Sequence, residues 1–71
     1  MNLKDSVILA MRQSRQDGHE RVVGRESGQW VIKLMNDRAS DFLEDSIIIT
    51  SEGFKYPDDE TRFYQLKSQG E

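Results

Sequence analysis

The sequence contains no cysteine, one histidine, one proline and one tryptophan in 71 residues. Without cysteine there is neither a disulfide nor a thiolate-ligated metal to reinforce a small fold. A lone histidine leaves no ordinary zinc site and no Ser-His-Asp arrangement that spacing supports. Long apolar runs are also missing: the longest, Val7-Ile8-Leu9-Ala10-Met11, has five residues, against the ~20 that a membrane span needs. No membrane helix is expected. A single early lysine, Lys4, with no small-residue cleavage site after the apolar run, is not the pattern of a secretory signal, so the expected compartment is the cytoplasm. The five glycines, at 18, 24, 28, 53 and 70, are too scattered to build a phosphate-cradling or dinucleotide-binding loop, so no nucleotide cofactor is expected.

What remains is a short, mildly acidic chain with a net charge of -3 and an apolar content of 35%, below the roughly 45–50% of ordinary globular domains. A domain of this size buries only about 60% of the surface its unfolded chain exposes, so a thin core and marginal stability or self-association are expected. Charged residues are mixed in sign, and aromatic and β-branched residues are spread along the chain, which favours folding over disorder. Residues 1–35 carry six Lys/Arg and four Asp/Glu, and residues 36–71 four and nine, so the halves differ in sign at +2 and -5.

Leu3, Val7, Ala10 and Met11 recur at the spacing of one helical face, with Ile8 at its edge and Leu9 alone on the polar side. An amphipathic helix over 3–17 follows, capped by Asn2, with Asp5 in its first turn, Arg12 and Arg15 approaching its last, and Gly18 ending it. The period then changes to two. Residues 20–25 and 29–35, joined by Glu26-Ser27-Gly28, read as a hairpin whose Trp30-Ile32-Leu34 face packs under the helix. Gly24 within the first strand suggests a bulge. Residues 36–45 begin with capping types and place Ala39, Phe42 and Leu43 at helical spacing, enough for a turn or two.

Ser46-Ile47-Ile48-Ile49-Thr50 is a strand suited to the middle of a sheet. A turn at Ser51-Glu52-Gly53 leads to Phe54-Lys55-Tyr56, which Pro57 stops. After the acidic turn Asp58-Asp59-Glu60, residues 61–67 read as a last strand, and 68–71 as a frayed tail. The expected fold is one α+β domain over residues 1–67: an N-terminal helix on a small antiparallel sheet of four to five strands in two hairpins, with a short helical turn between them.

Chemistry-bearing groupings are weak. His19 follows the glycine that ends the helix, where an imidazolium can face the last carbonyls in a structural role. Asp37, Asp41, Glu44 and Asp45 have the spacing to line one helical side, and Asp58-Asp59-Glu60 lacks the alternating ligands and glycine of a calcium loop. Both groups read as solvated surface, and no metal is expected. Of the aromatics Trp30, Phe54, Tyr56, Phe63 and Tyr64, all on expected strands, Trp30 is assigned to the core together with the three phenylalanines. A chain with 25 apolar residues has few to leave outside. Exposed on a sheet, the same rings would be a stacking platform for bases.

The residues point to a non-enzymatic protein-protein interaction module or small regulator, with a protein partner or a second copy of the chain meeting the sheet face or edge. Leu9, Tyr56, Arg62 and Tyr64 are the candidate contact residues. The alternative is a nucleic-acid-binding module in which Arg12, Arg15, Arg21, Arg25 and Lys33 converge on phosphates, opposed by the interleaved Asp17, Glu20 and Glu26 and by the net acidity. A small open sheet with one histidine offers little to exclude water or fix a reacting group, so an enzyme is not expected.

Overall fold

The computed structural model describes residues 1–36 and 38–69. Asn2 sits in extended conformation and its side-chain oxygen accepts the Asp5 N–H at 2.8 Å, which starts helix α1 (Leu3–Asp17). Gly18 ends it in the left-handed region at φ 75°, its N–H donating to the Ser14 carbonyl at 2.8 Å. Both ends fall where the sequence places them. The buried stripe of α1 is Leu3, Ser6, Val7, Ala10 and Ser14. Ser6 is satisfied by donating its hydroxyl to the Asn2 carbonyl, whereas Ser14 Oγ finds no hydrogen-bond partner among the described residues.

Strands β1 (Arg21–Glu26) and β2 (Gln29–Leu34) form the expected hairpin, in register from Arg21 opposite Leu34 to Glu26 opposite Gln29. The two-residue loop has Ser27 at φ 53° and Gly28 at φ 79°. Positive φ at both positions is the type I′ geometry that matches strand twist. A short 3-10 helix (Arg38–Phe42) leads into β3 (Glu44–Thr50), and a tight turn into β4, which is only Gly53–Phe54. The sheet is antiparallel in the order β2-β1-β3-β4, so the isoleucine-rich strand lies inside it.

The register of β1 on β3 shifts between Val23 and Arg25, which places the irregularity at Gly24. A Cβ there would stand 2.6 Å from the Leu43 Cβ and 3.1 Å from the Glu44 carbonyl oxygen. Glycine is therefore required for the backbones to approach this closely.

Residues 61–67 are not a strand. Helix α2 runs Pro57–Ser68, with Pro57 at its start, Asp58, Asp59 and Glu60 in its first turn and Lys67 in its last. These are helix-start and helix-stop signals, and they oppose the local strand preference of Thr61, Phe63 and Tyr64. The turn read at Asp58-Asp59-Glu60 is thus a helix start, and Tyr56, expected on a strand, is the residue before it. Ser68 belongs to α2 and Gln69 caps it, while Gly70 and Glu71, the end of the expected tail, lie outside the described residues.

Helix α2 also finishes the sheet. β4 pairs with β3 at only two positions, and beyond them the Ile48 N–H donates to the Asp59 carboxylate at 3.1 Å. A side chain at the third helical position thereby replaces a missing strand partner. The core joins Leu3, Val7 and Ala10 of α1, Val23, Trp30, Ile47 and Ile49 of the sheet, and Phe63 of α2, with Met11, Ile32, Phe54 and Leu66 packed against it. Trp30 and Phe63 take the core positions expected of them, but Phe42 is 84% exposed. Leu43 occupies the space over Gly24, and the adjacent Phe42 is turned outward.

Candidate protein-interaction surface

Helix α1 has two stripes. The inner one, residues 3, 7, 10 and 14, is buried against the sheet. Residues 5, 8 and 12 repeat the three-four spacing of 7, 10 and 14 about half a turn away, since each residue advances about 100° around the axis, and Met1 precedes them just outside the helix. That outward stripe is not a solvated face of charges. Met1 (66% exposed), Asp5, Ile8 (41% exposed), the half-buried Leu9 and Arg12 together line an open concavity of about 390 Å³. Ile8, expected at the edge of the core face, is instead part of this outer surface. Leu9, expected alone on the polar side of the helix, is half-buried, and Ile8, Met1 and Asp5 join it on this surface.

Asp5 and Arg12 stand at the two ends of the apolar pair Ile8-Leu9. Seven residues apart on one helix, they are separated by about 10.5 Å along the axis, too far to pair with each other. Neither side chain has an ion-pair partner among the described residues.

Leu9 lies on α1, whereas Arg62 and Tyr64 lie on α2 and Tyr56 is its N-cap residue. Tyr56 and Tyr64 are both exposed, Tyr64 standing edge-on to Phe63 at 5.3 Å between ring centroids. Arg62 faces the Asp59 carboxylate at 3.6 Å. Two residues apart on α2, Arg62 and Tyr64 project from different sides of the helix. Phe63 and Tyr64, expected on a strand, lie on α2.

Comparison with protein families, curated proteins and solved structures finds no match to this chain.

Four of the five basic residues of the nucleic-acid reading have separate partners within the chain. Arg12 lies on the outward stripe of α1, and Arg15 donates from Nε to the Ser51 carbonyl at 3.0 Å. Arg21 is held at the end of α1 by Asp17, by the Gln13 side chain at 3.3 Å and by the His19 carbonyl at 2.9 Å. Arg25 pairs with Asp45 through Nε at 3.1 Å and covers the Trp30 ring at 5.0 Å. Lys33 approaches Glu26 at 3.9 Å. Lys33 opposes Val22 in register, so alternation puts it on the sheet face turned away from Arg21 and Arg25.

Opposite charges from the two halves of the chain are also brought together, Arg25 with Asp45 and Lys55 with Glu20 at 2.9 Å. Hydrogen bonding to the Glu20 carboxylate raises the Lys55 ammonium above its usual value. The Arg21 guanidinium, and after it the His19 backbone N–H, hold the Asp17 carboxyl below the ordinary carboxylate range. His19 thus reaches the end of α1 through its main chain, donating to Asp17 Oδ1 at 2.9 Å.

The acidic groups are laid out differently from the helical array expected. Asp41 is on the 3-10 helix, Glu44 and Asp45 are on β3, and Asp37 lies outside the described residues. Asp58, Asp59 and Glu60 form the first turn of α2, where the helix dipole favours them. Among the described residues no three His, Asp or Glu side chains stand together as a metal site, and no helix is long and apolar enough to cross a membrane.

Proposed function

We propose that this chain is a non-enzymatic protein-protein interaction module that docks through the outward face of α1. The observation that carries the reading is the second stripe of that helix, in which Ile8 and Leu9 form an apolar centre bounded by Asp5 and Arg12, neither of which has an ion-pair partner among the described residues. An apolar centre with a charged rim is the usual anatomy of a protein contact. The nucleic-acid reading has less support, because Arg21, Arg25 and Lys33 already face carboxylates.

A photoreactive amino acid at position 9 tests the reading in cells, with position 52, in the exposed β3–β4 turn, as the control. A discrete protein adduct at position 9, absent at position 52 and lost on Ile8→Lys, is the expected result. Ile8 lies outside the buried core, so Ile8→Lys should change stability by no more than about 0.5 kcal/mol. Equal labelling at both positions, or none at position 9, refutes the docking face.

A further inference from the structure

We infer that the occupant of the α1 face is a second copy of this chain, bound with its α1 antiparallel across a two-fold axis that passes between Ile8 and Leu9. The inference rests on the docking role proposed for this face and names its partner.

In an antiparallel helix pair related by a two-fold, residue i meets residue j when their numbers have a constant sum. With the axis between Ile8 and Leu9, Ile8 of one copy meets Leu9 of the other, and Asp5 meets Arg12. The second Asp5–Arg12 pair follows from the same operation. A two-fold contact must be self-complementary, and this stripe has a negative and a positive charge at equal distances either side of its apolar centre.

Within one copy the charges are stranded. Asp5 and Arg12 are too far apart to pair along α1, and no other described residue pairs with them. Of the six basic residues in the first half of the chain, Arg15, Arg21, Arg25 and Lys33 have a partner within the chain, whereas Lys4 and Arg12 have none among the described residues. Met1, just before the helix, borders the same stripe and adds exposed apolar surface to it. An interface one helix wide is smaller than a standard protein contact, so the dimer is expected to be weak and to dissociate on dilution.

Sedimentation equilibrium of the wild type from about 10 µM to about 1 mM spans the affinities such a contact reaches. Reversible dimerisation is expected. Asp5→Arg alone and Arg12→Asp alone each set like charges opposite one another twice, and each should weaken self-association roughly tenfold or more. An equimolar mixture of these two variants should associate again, because every facing pair is then opposite in charge. Ile8→Lys, which leaves the first-turn carboxylate of α1 in place, should also be monomeric and serves as the interface-breaking variant should Asp5→Arg fail to fold.

A wild type that stays monomeric to about 1 mM overturns the inference, and a mixture that associates no better than its components overturns the antiparallel register. A monomer whose position 9 still cross-links to a protein of another mass removes the second copy and leaves the docking face standing. A monomer with no adduct at position 9 removes both.

Discussion

Replacing Ser14 by alanine should stabilise this protein. Ser14 lies on the inner stripe of α1, is 1% exposed, and its hydroxyl has no hydrogen-bond partner among the described residues. Two terms favour the substitution. Alanine is the better helix former by about 0.5 kcal/mol, and removal of a buried unsatisfied hydroxyl recovers about 1 kcal/mol of desolvation. One term opposes it, since the lost oxygen leaves a small gap whose lining forfeits contacts of about 0.5 kcal/mol. The balance is a gain of about 1 kcal/mol, which for a domain of this size raises Tm by about 4–8 °C.

Urea unfolding followed through Trp30, the single tryptophan and part of the core, reads this directly. The midpoint should rise with the slope unchanged. Ser6→Ala is the matched control. Ser6 is equally buried on the same helix but donates to the Asn2 carbonyl at 2.8 Å, so its removal forfeits a made bond and should give a smaller gain or none. A Ser14→Ala variant that is less stable than wild type, or a Ser6→Ala variant that gains as much, refutes the reasoning from satisfaction.

Three further outcomes follow from other contacts. Asp59→Ala removes the acceptor of the Ile48 N–H and should cost about 1–3 kcal/mol, with hydrogen exchange at Ile48 accelerating by more than at Ile47; uniform acceleration along β3 would mean that Asp59 closes no sheet edge. Gly24→Ala brings a Cβ to 2.6 Å from that of Leu43 and should cost about 1–3 kcal/mol through overpacking, measured by urea midpoint, and a neutral result would show that the bulge gives way freely. Asp17→Asn tests pH linkage: a carboxyl lowered in the folded state contributes stability that is fully present above its ordinary value of 3.8 and is lost as pH falls through the lowered value. The wild type should therefore exceed the variant in stability at neutral pH, and the difference should vanish in acid; a difference that grows in acid reverses the sign and excludes the Arg21 pairing as its source.

Signals that act within a few residues are legible in the sequence. Asn2, Gly18, the Ser27-Gly28 turn and the β-branched run at Ile47 each act locally, and α1, the first hairpin and β3 form as the residues direct. Residues 57–68 carry two local signals in conflict, an acidic helix start after proline and a short run of strand formers. The conflict is settled by tertiary contacts, with Asp59 reaching the Ile48 N–H and Phe63 reaching the core. A period-two reading of a short run is blind to such contacts. The basic residues show the same boundary, because a charge count does not reveal that Arg25 meets Asp45 twenty positions away or that Lys55 meets Glu20. Leu9 stands out on the helical wheel alone, whereas placing Ile8 outside the core requires knowing which arc of the helix the sheet covers.

That arc raises the strongest physical argument for a partner. On the inner side of α1 the chain places Ser6 and Ser14, both essentially inaccessible to water, while on the outer side of the same helix it places Ile8 and Leu9. Stability of the isolated fold favours the reverse arrangement, because burying an isoleucine or leucine side chain is worth about 1.5–3 kcal/mol and burying a hydroxyl is at best neutral. In a chain with 25 apolar residues and a thin core, this inversion is a cost to the monomer. It ceases to be a cost if the outer stripe is covered in the working state of the protein. Exchanging the two sides tests the trade-off as a pair of measurements: Ser14→Ala with Ile8→Lys should give a domain at least as stable as wild type by urea midpoint that no longer dimerises or cross-links through position 9. Loss of stability in that double variant, with α1 still helical by circular dichroism, would mean that Ile8 supports the monomer fold and that the outward stripe is structural.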